Sequence, residues 1–78
     1  MHVVIAKVDE IYFDGEAYSL TVPAKDGLMT ILGEHMPLIT TLVSGSLMLK
    51  ESAQGEGKEF PIDSGVLEVR RDGATVVL

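Results

Sequence analysis

The sequence contains no cysteine and no tryptophan, and its aromatic content is only 5%. Without cysteine, disulfides and thiolate metal sites are excluded. Basic residues are also few: six Lys and Arg stand against twelve Asp and Glu, a formal net charge of −6. This balance disfavours nonspecific binding to nucleic acid or to an anionic membrane surface, although it permits docking on a basic protein.

Long apolar runs are missing as well. No run approaches the ~20 residues that a membrane-spanning helix needs. Lys7 and Asp9 interrupt the first apolar stretch, and the start lacks the basic residues of a signal peptide. With 78 residues, 46% of them hydrophobic, the sequence predicts one folded domain that is soluble when isolated.

Alternation of apolar and polar residues is the dominant pattern, and it predicts β-strands. Leu47 and Leu49 alternate with Ser46, Met48 and Lys50. Similar alternating runs extend from Val3 to Val8, from Ala17 to Val22 and from Val66 to Arg70. Turn signals separate the runs at Asp14-Gly15, Lys25-Asp26-Gly27, Ser44-Gly45, Gly55-Glu56-Gly57, Asp63-Ser64-Gly65 and Asp72-Gly73. Because no window has a helical stripe, the pattern predicts a small sandwich or barrel of about eight to ten short strands.

No constellation of residues predicts catalysis. His35 has Glu34 beside it, but adjacent residues in a strand or turn usually point apart, whereas a general base needs an orienting partner. His2 and His35 lack the spacing of metal ligands, and no phosphate-binding loop is present. We therefore predict no catalytic, cofactor-binding or metal-binding residue.

The run from Met36 to Val43 is apolar on both alternations, relieved mainly by two threonines. In a small sandwich, such a strand has one side on the core and the other against a second protein or an overlying loop. Met48 shares a face with Ser46 and Lys50, although methionine is also a common core filler. The pattern predicts a docking face but leaves open whether Leu38 or Ile39 faces the core.

Three segments in a fixed order carry a resemblance to a known family. They are Val22 to Leu42, with Pro23, Gly27, Ile31-Leu32 and His35-Met36-Pro37-Leu38; Ser64 to Val69; and Thr75 to Leu78. This order resembles the N-terminal β-sandwich of the epsilon subunit of F-type ATP synthases. That family has a Pro…Gly…Ile-Leu-Pro-Gly-His-x-Pro-Leu core, then Gly-Gly-x-x-Glu-Val and a final Thr-Val-Leu strand.

The sequence departs from the family pattern near this His. Gly33-Glu34 replaces the Pro-Gly pair, Thr30 replaces a glycine, and Leu28 stands where an acidic residue is frequent. The turn still contains glycine, so the expected fold is unchanged. The 78 residues resemble a short form without the helical hairpin that follows the sandwich in most members.

The resemblance implies a single domain over residues 1–78, an all-β sandwich of about ten short, mostly antiparallel strands. It also implies a noncatalytic central-stalk subunit of the rotor, which couples proton transport to ATP synthesis. The family docks on the gamma subunit and on the membrane rotor ring, at the cytoplasmic side of the energy-coupling membrane. Inhibition of ATP hydrolysis and ATP binding belong to the helical hairpin, so neither is expected by that route, and the isolated chain is expected to be a monomer.

Contacts are implied for two groups of residues. The rotor ring would be contacted by Gly27, Leu28, Glu34 and His35. The gamma subunit would be contacted by Met36, Leu38, Thr40 and Met48. The alternative from another class is a free-standing β-sandwich module that binds an unrelated protein through the same apolar face, and an enzyme on a small β-fold is a third possibility.

Overall fold

The computed structural model describes residues 1–33 and 36–78. These residues form nine strands and no helix, which confirms the predicted all-β class. The strands are β1 His2–Lys7, β2 Glu10–Glu16, β3 Ser19–Ala24, β4 Gly27–Leu32, β5 Leu38–Leu42, β6 Gly45–Lys50, β7 Gly57–Ile62, β8 Gly65–Arg70 and β9 Gly73–Val77.

The strands form one continuous sheet that curls into two layers. One layer has the order β2-β1-β9-β8-β5, and the other has the order β4-β3-β6-β7. All pairs are antiparallel except β1 with β9. The sandwich of mostly antiparallel strands is therefore confirmed, with nine strands in the described residues.

The two layers are joined where β3 leaves β6 and reaches β5. The first half of β3 pairs with β6, whereas its last residue, Ala24, pairs with Leu42 of β5. Lys25 N–H donates to Thr41 C=O over 3.1 Å, and Val43 N–H donates to Pro23 C=O over 2.9 Å. Pro23 occupies the point where β3 changes partner, beyond the last residue that pairs with β6, so its missing N–H costs no hydrogen bond to that strand.

Alternating side chains from both layers meet in one hydrophobic core. In β6 and β8, the alternation read from the sequence is confirmed, because the inward leucines and valine are buried and their neighbours are not. The largest fully buried side chains are Ile5, Leu20, Ile31, Leu42, Leu47, Leu49, Leu67, Val3, Val22, Val69 and Val76. The core thus uses both inner faces and leaves both outer faces for other contacts.

One predicted turn is wrong. Asp14-Gly15 lies inside β2, where Asp14 pairs with Val4 and Gly15 with Val3. The chain instead reverses at Val8-Asp9, and Asp9 adopts a φ of 69°, which aspartate tolerates better than most residues. Pairing along β1 outweighs the local turn preference of Asp-Gly, because it keeps the apolar side of β1 on the core.

We expect Ile31→Val to lower the free energy of unfolding by about 0.5–1.5 kcal/mol, since a buried methylene is lost from a packed core. Ile39→Val removes the same group from a side chain that is 73% exposed, so its effect should stay within about 0.5 kcal/mol. Urea titration of both variants measures the difference. Equal losses would contradict the assignment of the inner and outer faces.

Candidate protein-docking surfaces

The residues predicted to meet the rotor ring lie around the hairpin of β3 and β4. The Lys25-Asp26 turn joins the two strands, and Gly27 begins β4 with a φ of 126°, a conformation that favours glycine. Leu28 follows and is 78% exposed. Glu34 and His35 lie outside the described residues. The ring contacts therefore remain a prediction, with an exposed leucine next to the turn.

The residues predicted to meet the gamma subunit do not share one surface. Leu38 and Thr40 lie opposite Val69 and Leu67, two buried residues, so both point to the inner side of β5 and are half-buried. Met48 is half-buried on the outer face of the other layer, paired with Thr21 and Glu59. Met36 precedes β5 and is exposed.

The structure shows which of Leu38 and Ile39 faces the core. Leu38 packs against the core, whereas Ile39 is 73% exposed. Thr41 is exposed as well. The outward side of β5 therefore consists of Ile39 and Thr41, and any docking surface on this strand uses these two residues.

A row of four apolar side chains and one threonine crosses the outer face of the five-stranded layer. The pairing registers align one residue from each strand. The row, which we call the apolar row, consists of Ile11, Ala6, Val77, Val66 and Thr41. Its members Ile11, Val77 and Val66 are 65%, 52% and 45% exposed. Several large apolar side chains in line on a small domain are typical of a surface that meets another protein.

Ile39 extends this apolar surface into the neighbouring row, where it pairs with Glu68. The sequence contained one signal for the surface, the run from Met36 to Val43 that is apolar on both alternations. It contained no signal for the alignment itself, because the five residues of the row belong to five different strands and the sequence does not show which strands become neighbours.

A polar border runs along one side of the apolar row. His2 Nε2 lies 2.6 Å from Asp14 Oδ1, and its Nδ1 lies 3.3 Å from Glu16 Oε2. At the other end, Arg70 Nη1 donates to Thr75 Oγ1 over 2.8 Å and lies 3.2 Å from Glu68 Oε1. The face thus combines an apolar centre with charged groups at its margin, the usual arrangement of a protein interface.

A groove of about 500 Å³ lies beside Leu78. Its lining consists of Lys7, Tyr12, Phe60, Pro61, Ile62, Asp63, Ser64 and Leu78. Among residues 1–33 and 36–78, no three His, Asp or Glu are placed to hold a metal ion.

No helix in the described part of the chain is long and apolar enough to cross a membrane. Two exposed features of the described residues are candidates for protein contact: the apolar row with its border, and the end of the β3–β4 hairpin that carries Leu28.

The family model of the ATP synthase delta/epsilon chain β-sandwich domain matches residues 1–78. The ATP synthase epsilon chain of Herminiimonas arsenicoxydans is 35% identical over 77 residues, which are 99% of this chain and 55% of that protein. ATP synthase epsilon chain 2 of Burkholderia orbicola is 34% identical over 73 residues, which are 94% and 48% of the two chains. The chain thus spans about half the length of the curated relatives it matches.

Solved structures share the fold. A chain from the cryo-EM structure of the Euglena gracilis mitochondrial ATP synthase superposes with a TM-score of 0.86 at 19% identity, over 96% of this chain and 48% of that one. A chain from the central stalk and c-ring of the Tetrahymena thermophila mitochondrial ATP synthase gives 0.78 at 19%, over 99% and 61%. Because the family model matches the whole sequence, the chain belongs to the ATP synthase delta/epsilon family and comprises its β-sandwich domain.

Proposed function

We propose that this chain is a noncatalytic rotor component of an F-type ATP synthase, which docks on the gamma subunit and the membrane rotor ring and so couples proton transport to ATP synthesis. The observation that carries the proposal is the apolar row with its polar border, on a chain whose curated relatives are ATP synthase epsilon chains. Solved chains of the same fold come from ATP synthase assemblies that include the central stalk and c-ring.

The gamma subunit is assigned to the outer face of the five-stranded layer. Exposed apolar side chains there gain about 25 cal/mol for each Å² that a partner covers, and the charged border supplies rim contacts that fix orientation. Leu38 and Thr40 point inward, so they leave the proposed set of gamma contacts. Thr41, Val66 and Val77, on the outer face, enter it instead. Met36, at the entrance to β5, stays in the proposed contact set, whereas Met48 belongs to the opposite layer.

The rotor ring is assigned to the hairpin end with Gly27 and Leu28, together with Glu34 and His35 from the sequence prediction. The chain carries a net charge of −6, and opposite charge on the partner favours docking. A basic ring loop would therefore match it. Leu28 adds an exposed apolar side chain beside the acidic Asp26.

The role proposed for residues 1–78 is docking alone. Ionisable side chains near the apolar row are engaged in exposed ion pairs rather than in a catalytic constellation. The resemblance places ATP binding and inhibition in a helical hairpin that these residues do not include. Association with the membrane, on its cytoplasmic side, would then come through the complex.

Thr41→Asp should weaken binding to a cognate gamma subunit by at least about tenfold, because an unpaired charge in a desolvated interface costs several kcal/mol. Its melting temperature should stay near that of the parent, since Thr41 is exposed. Thr40→Asp is the matched control: it puts the same charge on the half-buried inner side and should lower the melting temperature.

Calorimetric titration with the gamma subunit and thermal melting of each isolated variant separate the two effects. If Thr41→Asp binds the gamma subunit as tightly as the parent chain does, the outer face of the five-stranded layer is not the docking surface. Failure of the parent chain itself to bind any gamma subunit would favour the free-standing binding module.

Leu28→Cys should crosslink to a loop of the rotor ring in an assembled complex, since Leu28 is 78% exposed at the hairpin end. The chain has no natural cysteine, so a crosslink reports this position alone. Gln54→Cys is the control, because it lies in the exposed β6–β7 loop at the opposite end of that layer. Crosslinking from Gln54→Cys but not from Leu28→Cys would reverse the proposed orientation.

A further inference from the structure

The groove beside Leu78 borders the apolar row on the side opposite the polar border. Three of its lining residues, Lys7, Tyr12 and Leu78, each directly follow a member of the row in the chain. Leu78 N–H also donates to Ala6 C=O over 2.8 Å, which extends the pairing of β9 with β1 past the row. Along β1, His2 stands at the polar border and Lys7 at the groove. A partner that covers the apolar row therefore lies directly beside the groove.

The walls of the groove come from both layers of the sandwich. Tyr12 belongs to β2 of the five-stranded layer, and Phe60 belongs to β7 of the other layer. Next to them, Lys58 Nζ of β7 lies 5.5 Å from the centroid of the Phe13 ring of β2, a cation–π contact between the two layers. This contact ties the outermost strands of the two layers together beside the groove, so the width of the groove is set within the chain itself.

The apolar part of the lining favours an aromatic occupant. Tyr12 and Phe60 are two of only four Phe and Tyr residues in the chain. Aromatic rings attract one another in edge-to-face or offset arrangements, beyond the area that they bury. Pro61, Ile62 and Leu78 add apolar surface. A volume of about 500 Å³ is within the range of sites that enclose a small molecule, and it also suits an anchoring side chain of a protein partner.

The charges of the lining favour an occupant without formal charge. Lys7 and Asp63 are the charged residues of the lining, and together they leave no net charge. Neither has an ion-pair partner among residues 1–33 and 36–78. A carboxylate in the groove would meet Asp63, and a cationic group would meet Lys7. A neutral ring avoids both repulsions, and its face attracts the Lys7 ammonium.

We propose that the groove beside Leu78 is an anchor site for the gamma subunit, which inserts one uncharged aromatic side chain between Tyr12 and Phe60. The inference rests on the proposed function, since it takes the gamma subunit as the protein that covers the apolar row. The row supplies a broad contact, whereas a pocket filled by an aromatic side chain is where binding energy concentrates in protein interfaces. Because the groove lies on one side of the row only, the anchor also fixes the direction in which the partner lies across the layer.

A titration without the gamma subunit tests the chemistry of the groove. N-acetyltryptophanamide, a neutral aromatic probe, should shift the backbone amide NMR signals of Lys7, Tyr12 and Ser64 in the isotope-labelled chain. The signals of Thr30 and Leu32, on β4 at the opposite edge of the other layer, should stay in place. N-acetyltryptophan has the same ring with a carboxylate and should bind more weakly. Absence of shifts at the groove, or tighter binding of the carboxylate probe, would overturn the proposal.

Ser64→Trp tests the anchor in the complex, because Ser64 is exposed and lines the groove, so that the introduced indole competes for it. The melting temperature should stay near that of the parent. Affinity for a cognate gamma subunit, measured by calorimetric titration, should fall at least about tenfold, as when an anchoring side chain loses its pocket. Ser52→Trp makes the same change in the β6–β7 loop, at the opposite end of β7, and should bind as the parent does.

Lys7→Gln gives a second test that leaves the volume of the groove almost unchanged. Since Lys7 is exposed, the variant should melt like the parent and bind both N-acetyltryptophanamide and the gamma subunit more weakly. Parent-like gamma affinity of Ser64→Trp and Lys7→Gln would refute the anchor while leaving docking on the outer face intact. A parent chain that binds no gamma subunit would refute the proposed function and the anchor together.

Discussion

The junction between β3 and β5 holds the two layers of the sandwich together. Two backbone hydrogen bonds, from Lys25 to Thr41 and from Val43 to Pro23, flank the single residue pair that links the layers. Gly45 follows closely, and a Cβ atom there would lie 3.0 Å from Pro23 Cβ, a tight contact that the absence of a side chain avoids. The sheet therefore curls on itself at this point, and the apolar sides of both layers face each other.

Closure of the sandwich determines what the outer surfaces can do. The inner faces are occupied by the core, and a domain of this size has few residues to spare for a second buried site. None of the ionisable side chains in residues 1–33 and 36–78 is buried, and some form exposed pairs, such as Lys58 with Glu51. What remains for function is the outer faces and the strand edges. Under the proposed function the chain acts through contacts with other proteins, so the arrangement of its exposed apolar residues matters more than any single side chain.

The alternation of apolar and polar residues predicted most of the fold. It identified the buried sides of β6 and β8 and the absence of helical stripes, because alternation follows directly from the geometry of a strand. It failed at Asp14-Gly15, where a strong local turn signal lies within β2. The local turn preference of Asp-Gly is weaker than the pairing of the whole of β2 with β1. The sequence does not show in advance which strand will be the neighbour.

Alternation and the order of the motifs were enough to predict the class, the family and an apolar surface at Met36 to Val43. Tertiary structure alone decided which side of that strand is free: Leu38 packs on the core and Ile39 faces out. It alone aligned Val66 and Val77 with Thr41, and it alone left one edge of β4 without a partner strand among those described. The reason is physical: periodicity is a property of one strand, whereas a surface row or a free edge depends on which strands become neighbours and in what register.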